Sequence, residues 1–217
     1  MIKIAPSLLA ADFTKLGSEV ESLNNTGTYM LHLDIMDGIF VPNISFGYDI
    51  VKQLRPYSSL IFDVHLMISD PMKYIDAFVK AGADSITFHY EAVKDSKEVL
   101  EYIRSKGIKA ALSIKPATSV EEIEELLPYM DMLLIMSVEP GFGGQKYIPA
   151  ATDKIKTARR IIEEKSLKTL IQVDGGVNAS NIAEVYNAGC DIAVAGTAVF
   201  GKEDRAKAVK ELCELTE

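Results

Sequence analysis

The 217-residue sequence has little cysteine, no long apolar run and no surplus of positive charge. Its two cysteines, Cys190 and Cys213, exclude a disulfide framework and fit a reducing compartment. No stretch approaches the roughly 18 consecutive apolar residues of a membrane-spanning helix, so no membrane partner is expected. The opening Met1-Ile2-Lys3-Ile4-Ala5-Pro6 runs straight into strand-like sequence without a charged segment and a longer apolar one, so no leader is expected and the cytoplasm is the expected location. A net charge of −8 excludes nucleic acid as a partner, because a phosphate backbone demands clustered Lys and Arg. It leaves room for one small phosphate held by backbone N–H groups. A chain of this length buries roughly 70% of its unfolded surface and folds without a disulfide or structural metal.

What the sequence does contain is alternation. Short apolar, β-branched runs occupy 2–9, 29–36, 60–67, 84–89, 108–114, 131–138, 169–174 and 191–195. Amphipathic patterns lie between them at 12–24, 47–54, 71–81, 95–106, 119–127, 149–165, 178–188 and 203–215. Asp12 reads as a helix start, Gly82 as a helix stop, and Ser119-Val120-Glu121-Glu122 as a capping box. Eight such units predict a parallel sheet, either an open doubly wound sheet or a closed (β/α)₈ TIM barrel. The barrel is favoured because polar and glycine-rich residues collect at the C-terminal ends of strands 2, 3, 6, 7 and 8, where a barrel builds its site. With no linker or low-complexity segment, residues 1–217 read as a single TIM-barrel domain.

Strand 2 ends in Leu31-His32-Leu33-Asp34-Ile35-Met36, and period-two alternation puts His32, Asp34 and Met36 on one face. His65 and Met67 share a face of strand 3, and strand 7 ends at Asp174. In a closed barrel His32, Asp34, His65 and Asp174 can converge at the mouth. Two imidazoles and two carboxylates suit zinc, with iron, manganese or cobalt as substitutes. A lone strand histidine is more often a satisfied core residue, and a lone Asp after a strand more often a helix cap. Two polar groups on one strand face are harder to dismiss, since burying them without partners is costly. Residue types alone leave the two readings evenly balanced.

Glycines follow three neighbouring strands: Pro140-Gly141-Phe142-Gly143-Gly144-Gln145, Gly175-Gly176 and Gly196-Thr197. They let backbone N–H groups approach an anion closely, and barrels commonly seat phosphate after strands 7 and 8. Any one such loop could simply turn the chain; three together favour phosphate. Met36, Met67 and Met136 read as core filling on their own, and Ser7 as either a substrate donor or a local backbone partner. His89 and Glu91 read as structural.

Together these segments, with Ala5-Pro6-Ser7-Leu8-Leu9, Phe40-Val41-Pro42-Asn43, Val64-His65-Leu66-Met67 and Val173-Asp174-Gly175-Gly176-Val177, resemble the ribulose-phosphate 3-epimerase family. They span residues 5 to about 201 in the family's order and spacing. The resemblance implies interconversion of D-ribulose 5-phosphate and D-xylulose 5-phosphate in the pentose phosphate pathway. It implies one divalent ion per chain on His32, Asp34, His65 and Asp174, with Asp34 and Asp174 also the acid/base pair acting through a metal-stabilised enediolate. Ser7, His65, Gly141, Phe142, Gly143, Gly144, Asp174, Gly175, Gly176, Gly196 and Thr197 would contact substrate, and Met36, Met67 and Met136 would flank the enediolate. Ile39 and Tyr48-Asp49 depart from the family pattern at the mouth. Alternatives are a D-allulose 6-phosphate 3-epimerase, a metal-free decarboxylase or synthase, and a non-catalytic phosphosugar-binding barrel. The expected partner is a small phosphorylated ketose, and the expected assembly is a homo-oligomer.

Overall fold

The structure, a computed structural model, describes residues 1–217. Eight parallel strands form one sheet: β1 (Lys3–Pro6), β2 (Met30–Met36), β3 (Ile61–Met67), β4 (Ser85–His89), β5 (Lys109–Ile114), β6 (Met132–Met136), β7 (Leu170–Asp174) and β8 (Ile192–Ala195). They are ordered β1-β8-β7-β6-β5-β4-β3-β2. The two ends of that order meet. Ser7 bridges His32 in parallel, and the Tyr29 N–H donates to the Ile4 carbonyl across 3.0 Å. Closure makes the sheet a (β/α)₈ barrel and removes the open-sheet alternative.

Strand alternation sorts the side chains into two environments. Leu31, Leu33, Ile35, Phe62, Val64 and Leu66 point outward and pack with helix residues such as Val51, Leu54 and Phe78 in the main core. Inside the barrel, Ala5, Met30, Ala111, Met132, Ile192 and Val194 form a separate apolar plug. Above that plug the interior turns polar: His32, Asp63, His65, Thr87, Ser113 and Gln172 have no exposed surface. Burying so many polar groups is unfavourable unless they pair, so the interior itself indicates where function lies.

The helices are α1 (Leu16–Glu21), α2 (Tyr48–Leu54), α3 (Ile75–Ala81), α4 (Ser96–Ser105), α5 (Ala150–Glu164), α6 (Ile182–Asn187), α7 (Thr197–Phe200) and α8 (Arg205–Glu214). In α4, Asp95 accepts from the Glu98 N–H and Ser96, Val99, Leu100 and Ile103 form the buried stripe. Asp12 and Gly82 act as anticipated: Asp12 accepts from the Thr14 N–H, and Gly82 ends α3 at φ +100°. Several details differ from the sequence pattern, among them that the first strand ends at Pro6 with a 3₁₀ turn, Leu8–Ala10, after it, and that a 3₁₀ turn, Met72–Tyr74, precedes α3. The 12–24 segment starts as a 3₁₀ turn, Phe13–Lys15, before α1. The fifth helical segment is a 3₁₀ helix, Glu121–Tyr129, with Pro128, which has no N–H to donate, near its end. Only half of its capping box forms, with Glu122 accepting from the Ser119 N–H while Val120 takes the cap position. The additional short helix α7 directly follows β8. Cys190 and Cys213 are unpaired thiols, and no helix is long and apolar enough to cross a membrane.

Candidate active site

Parallel pairing of β2 with β3 aligns Asp34 with His65 and Met36 with Met67; pairing of β6 with β7 aligns Met136 with Asp174. The inward alternation of three strands thus delivers the polar residues to one end of the barrel. His32 Nε2 lies 3.2 Å from His65 Nδ1, 3.3 Å from Asp34 Oδ1 and 3.9 Å from Asp174 Oδ2. His65 Nδ1 lies 3.2 Å from Asp34 Oδ1. One ligating atom from each of the four residues falls within 4.8 Å of the others.

This donor set fits a divalent cation. Two imidazole nitrogens and two carboxylate oxygens face a common point, the ligand chemistry of zinc and its neighbours. The local field points the same way. Burial alone would discharge His32, yet Asp34 and Asp63 on either side draw its pKa well above the usual imidazole value. Burial likewise opposes ionisation of Asp34, but His32 and His65 hold its carboxyl far below the usual range. Asp174 is pushed up to about 6, first by burial and then by the negative charge of Asp34. Positive charge is in demand at this point.

Behind the cluster stands a second layer. His32 Nδ1 faces Asp63 Oδ2 at 2.9 Å, and the same oxygen accepts from Gln172 Nε2 at 2.9 Å while Thr87 donates to the other. Burial disfavours a charged Asp63, but hydrogen bonds from His32 and Gln172 keep its pKa low. On the other side His65 Nε2 lies 2.9 Å from His89 Nε2, and His89 Nδ1 lies 3.4 Å from Glu91 Oε2.

A cavity of about 370 Å³ opens over the cluster. Ser7, Asp34, Met36, Met67, Met136, Asp174, Gly175, Gly176, Gly196, Thr197 and the whole run Gly141-Phe142-Gly143-Gly144 line it. His32 and His65 do not; they lie fully buried beneath its floor, leaving Asp34 and Asp174 as the carboxylates that face a ligand. The structure therefore brings the four ligand candidates, Ser7, the three methionines and the glycine loops to one place, in two tiers, whereas Ile39 and Tyr48-Asp49 do not line the cavity. Gly175 and Gly176 sit at φ +124° and +66°, where a Cβ would meet Val138 Cγ2 at 2.6 Å and Gln145 O at 2.7 Å, respectively. The loop after β7 can lie against the loop after β6 only without side chains here.

Sequence reading overlooked Asp63, Gln172 and the contribution of His89 and Glu91. The signal for Asp63 was available: it shares the inward face of β3 with His65 and Met67. Gln172 shares a face with Asp174 in the same way, but a glutamine carries no distinctive chemistry to flag it.

Comparison with known proteins agrees with this geometry. Residues 3–200 match the model of the ribulose-phosphate 3 epimerase family. A ribulose-phosphate 3-epimerase of Bacillus subtilis (strain 168) is 46% identical over 213 residues, covering 98% of each chain. One from Eremothecium gossypii is also 46% identical over 213 residues, covering 93% of this chain and 87% of its own. Among solved structures, a tryptophan synthase alpha-subunit from Pyrococcus furiosus superposes with a TM-score of 0.73 at 20% identity, covering 99% of this chain and all of its own. That likeness concerns the fold alone.

Proposed function

Because the chain belongs to the ribulose-phosphate 3-epimerase family, we propose that it inverts C3 of D-ribulose 5-phosphate to give D-xylulose 5-phosphate. The observation that carries the proposal is the two-tier site. Four ligand atoms lie within 4.8 Å of one another, and of the four residues only Asp34 and Asp174 reach the cavity above.

His32, Asp34, His65 and Asp174 would hold a divalent ion, zinc first and iron, manganese or cobalt in its place, and such an ion would supply Lewis-acid stabilisation of negative charge on the substrate oxygens beside C3. The remaining work belongs to the side chains. One of the two aspartates takes the C3 proton; the other delivers a proton to the opposite face, and the roles exchange with direction. Ser7 donates to Asp34 Oδ2 at 2.6 Å, which holds that carboxylate in one orientation. Met36, Met67 and Met136 line the cavity and exclude water without offering a proton to the carbanionic carbon. Backbone N–H groups of the loops after β6, β7 and β8, including Gly141, Phe142, Gly143, Gly144, Gly175, Gly176, Gly196 and Thr197, cradle the phosphate. The working unit is one barrel domain over residues 1–217, a cytoplasmic homo-oligomer.

Turnover of D-ribulose 5-phosphate and D-allulose 6-phosphate by the metal-loaded protein tests the reading. A clear preference for the pentulose is expected. Preference for the hexulose would reassign the substrate, and binding without turnover of either would leave a phosphosugar-binding barrel.

A further inference from the structure

The two histidines of the cluster are held from behind in different ways. His32 Nδ1 faces the Asp63 carboxylate directly, which fixes a proton on Nδ1 and leaves Nε2 as the nitrogen on the cluster side. His65 has no carboxylate behind it. Its Nε2 lies 2.9 Å from His89 Nε2, and two ring nitrogens at that distance share one proton. On the cluster side, Asp34 Oδ1 at 3.2 Å competes for a proton on His65 Nδ1, the very atom that must be bare to bind a metal. Something must tip the ring the other way.

The far end of the chain supplies it. His89 Nδ1 is buried without a hydrogen-bond partner, and the carboxylate oxygen beside it is Glu91 Oε2, 3.4 Å away. The other Glu91 oxygen accepts from the Lys115 N–H at 2.8 Å and from the Thr118 hydroxyl. The carboxylate is thereby anchored to the loop after β5. The His65 and His89 ring centroids lie 5.0 Å apart with 30° between the ring planes, Phe40 packs on His89 at 4.8 Å, and neither histidine has exposed surface.

We propose that Glu91 and His89 are positioning residues that set the tautomer in which His65 offers its Nδ1 lone pair to the metal. The proposal rests on the metal reading above. An ionised carboxylate can only accept, so it takes the Nδ1–H of His89. That leaves His89 Nε2 as an acceptor for His65 Nε2–H, and His65 Nδ1 is left bare. The direction of the chain is dictated at Glu91, two residues removed from the ligand.

Replacing Glu91 by glutamine tests this, because shape is kept and direction is not. The amide oxygen remains opposite Lys115 N–H and Thr118, so the NH₂ faces His89 and both ring tautomers reverse. Zinc affinity measured by chelator competition should fall about 10- to 100-fold in Glu91→Gln. The imidazole ¹⁵N shifts of the metal-free variant should move the His65 proton from Nε2 to Nδ1, a change that general loosening of the fold does not produce. In a His89→Gln background the residue-89 amide can turn its own oxygen toward His65, so adding Glu91→Gln should cost less than about threefold, the non-additivity of coupled residues. Equal zinc affinity in wild type and Glu91→Gln, or an equal loss in both backgrounds, overturns the relay while leaving the metal site intact. A wild-type chain that takes up no zinc sinks the metal reading and the relay with it. Should the variants fail to fold, the zinc-loaded wild type still decides: its ¹⁵N spectrum should put the His89 proton on Nδ1, and a proton on Nε2 refutes the proposal.

Discussion

Ser7 and Asp34 are joined by a 2.6 Å hydrogen bond across the seam where β1 meets β2 and the barrel closes. Asp174, at the end of β7, has no such partner; its nearest cation-forming neighbour is His32 Nε2 at 3.9 Å. The two carboxylates are therefore inequivalent. One is clamped and held ionised, while the other is pushed up to about 6 by burial and by the charge of the first.

If these aspartates serve opposite faces of C3, Asp174→Asn should cut epimerisation at least about 100-fold, the low end for losing a general acid/base. Asparagine still offers an oxygen to a metal, so metal content is measured on the same sample. In deuterated water the metal-loaded variant should exchange the C3 proton of one epimer through Asp34 without inverting that carbon. Near-normal epimerisation with the metal in place would make Asp174 a ligand only and imply a single base.

The four-residue cluster should bind close to one divalent ion per chain. Chelation should abolish turnover, and zinc, iron, manganese or cobalt should restore it. Binding should also appear in stability, since ligand at about 100 times its Kd adds about 2.7 kcal/mol to the folded state. Thermal unfolding with and without added metal reads this directly. Full activity in exhaustively stripped protein would refute the metal role.

Much of this arrangement was legible in the sequence because it depends on short-range periodicity. Alternation in β2 places His32, Asp34 and Met36 together, and it does the same for His65 and Met67 in β3. Closure of the barrel was an inference from where polar residues gathered; the bond from Tyr29 to Ile4 that completes it joins backbone atoms and leaves no trace in side-chain pattern. The relation of His89 to His65 also lay beyond sequence. It depends on the β3–β4 register, which pairs His65 with Thr87 and so puts His89 one inward step above. The separation of histidines beneath the floor from aspartates within the cavity is likewise a matter of depth, which alternation does not encode.

Phosphate recognition should discriminate between two glycines that look alike in sequence. At Gly176 a Cβ would press on Gln145 O at 2.7 Å, so Gly176→Ala must push the loops after β6 and β7 apart. At Gly144 a Cβ meets no protein atom within 4 Å, and its φ of +74° disfavours a side chain. Wild type should turn over free ribulose at least about 100-fold less efficiently than the phosphate ester, a difference of roughly 2.7 kcal/mol. Gly176→Ala should shrink that ratio about tenfold by raising KM for the ester alone, and Gly144→Ala, which displaces no protein atom, should shrink it less. Equal efficiency of wild type on both substrates would count decisively against a phosphate cradle.

Acid should erode the contribution of Glu91 in a defined window. Burial pushes its carboxyl up, but hydrogen bonds from His89, Thr118 and the Lys115 N–H outweigh that and hold it at about 2, against an ordinary 4.5. A carboxylate whose pKa is lower folded than unfolded stabilises the folded state fully above the unfolded value and progressively less as pH falls toward the folded one. Glutamine at this position does not titrate. The stability margin of wild type over Glu91→Gln should therefore be constant from about pH 7 to about pH 5.5 and narrow from about pH 4.5 downward. Urea midpoints for both proteins, taken at matched ionic strength down to about pH 3.5, measure the margin directly. His89, pushed down to about 4 by burial, titrates in the same window, so its protonation is followed by NMR on the same samples. A margin that stays level down to about pH 3.5 while His89 remains neutral would mean that Glu91 is not held ionised in the folded protein.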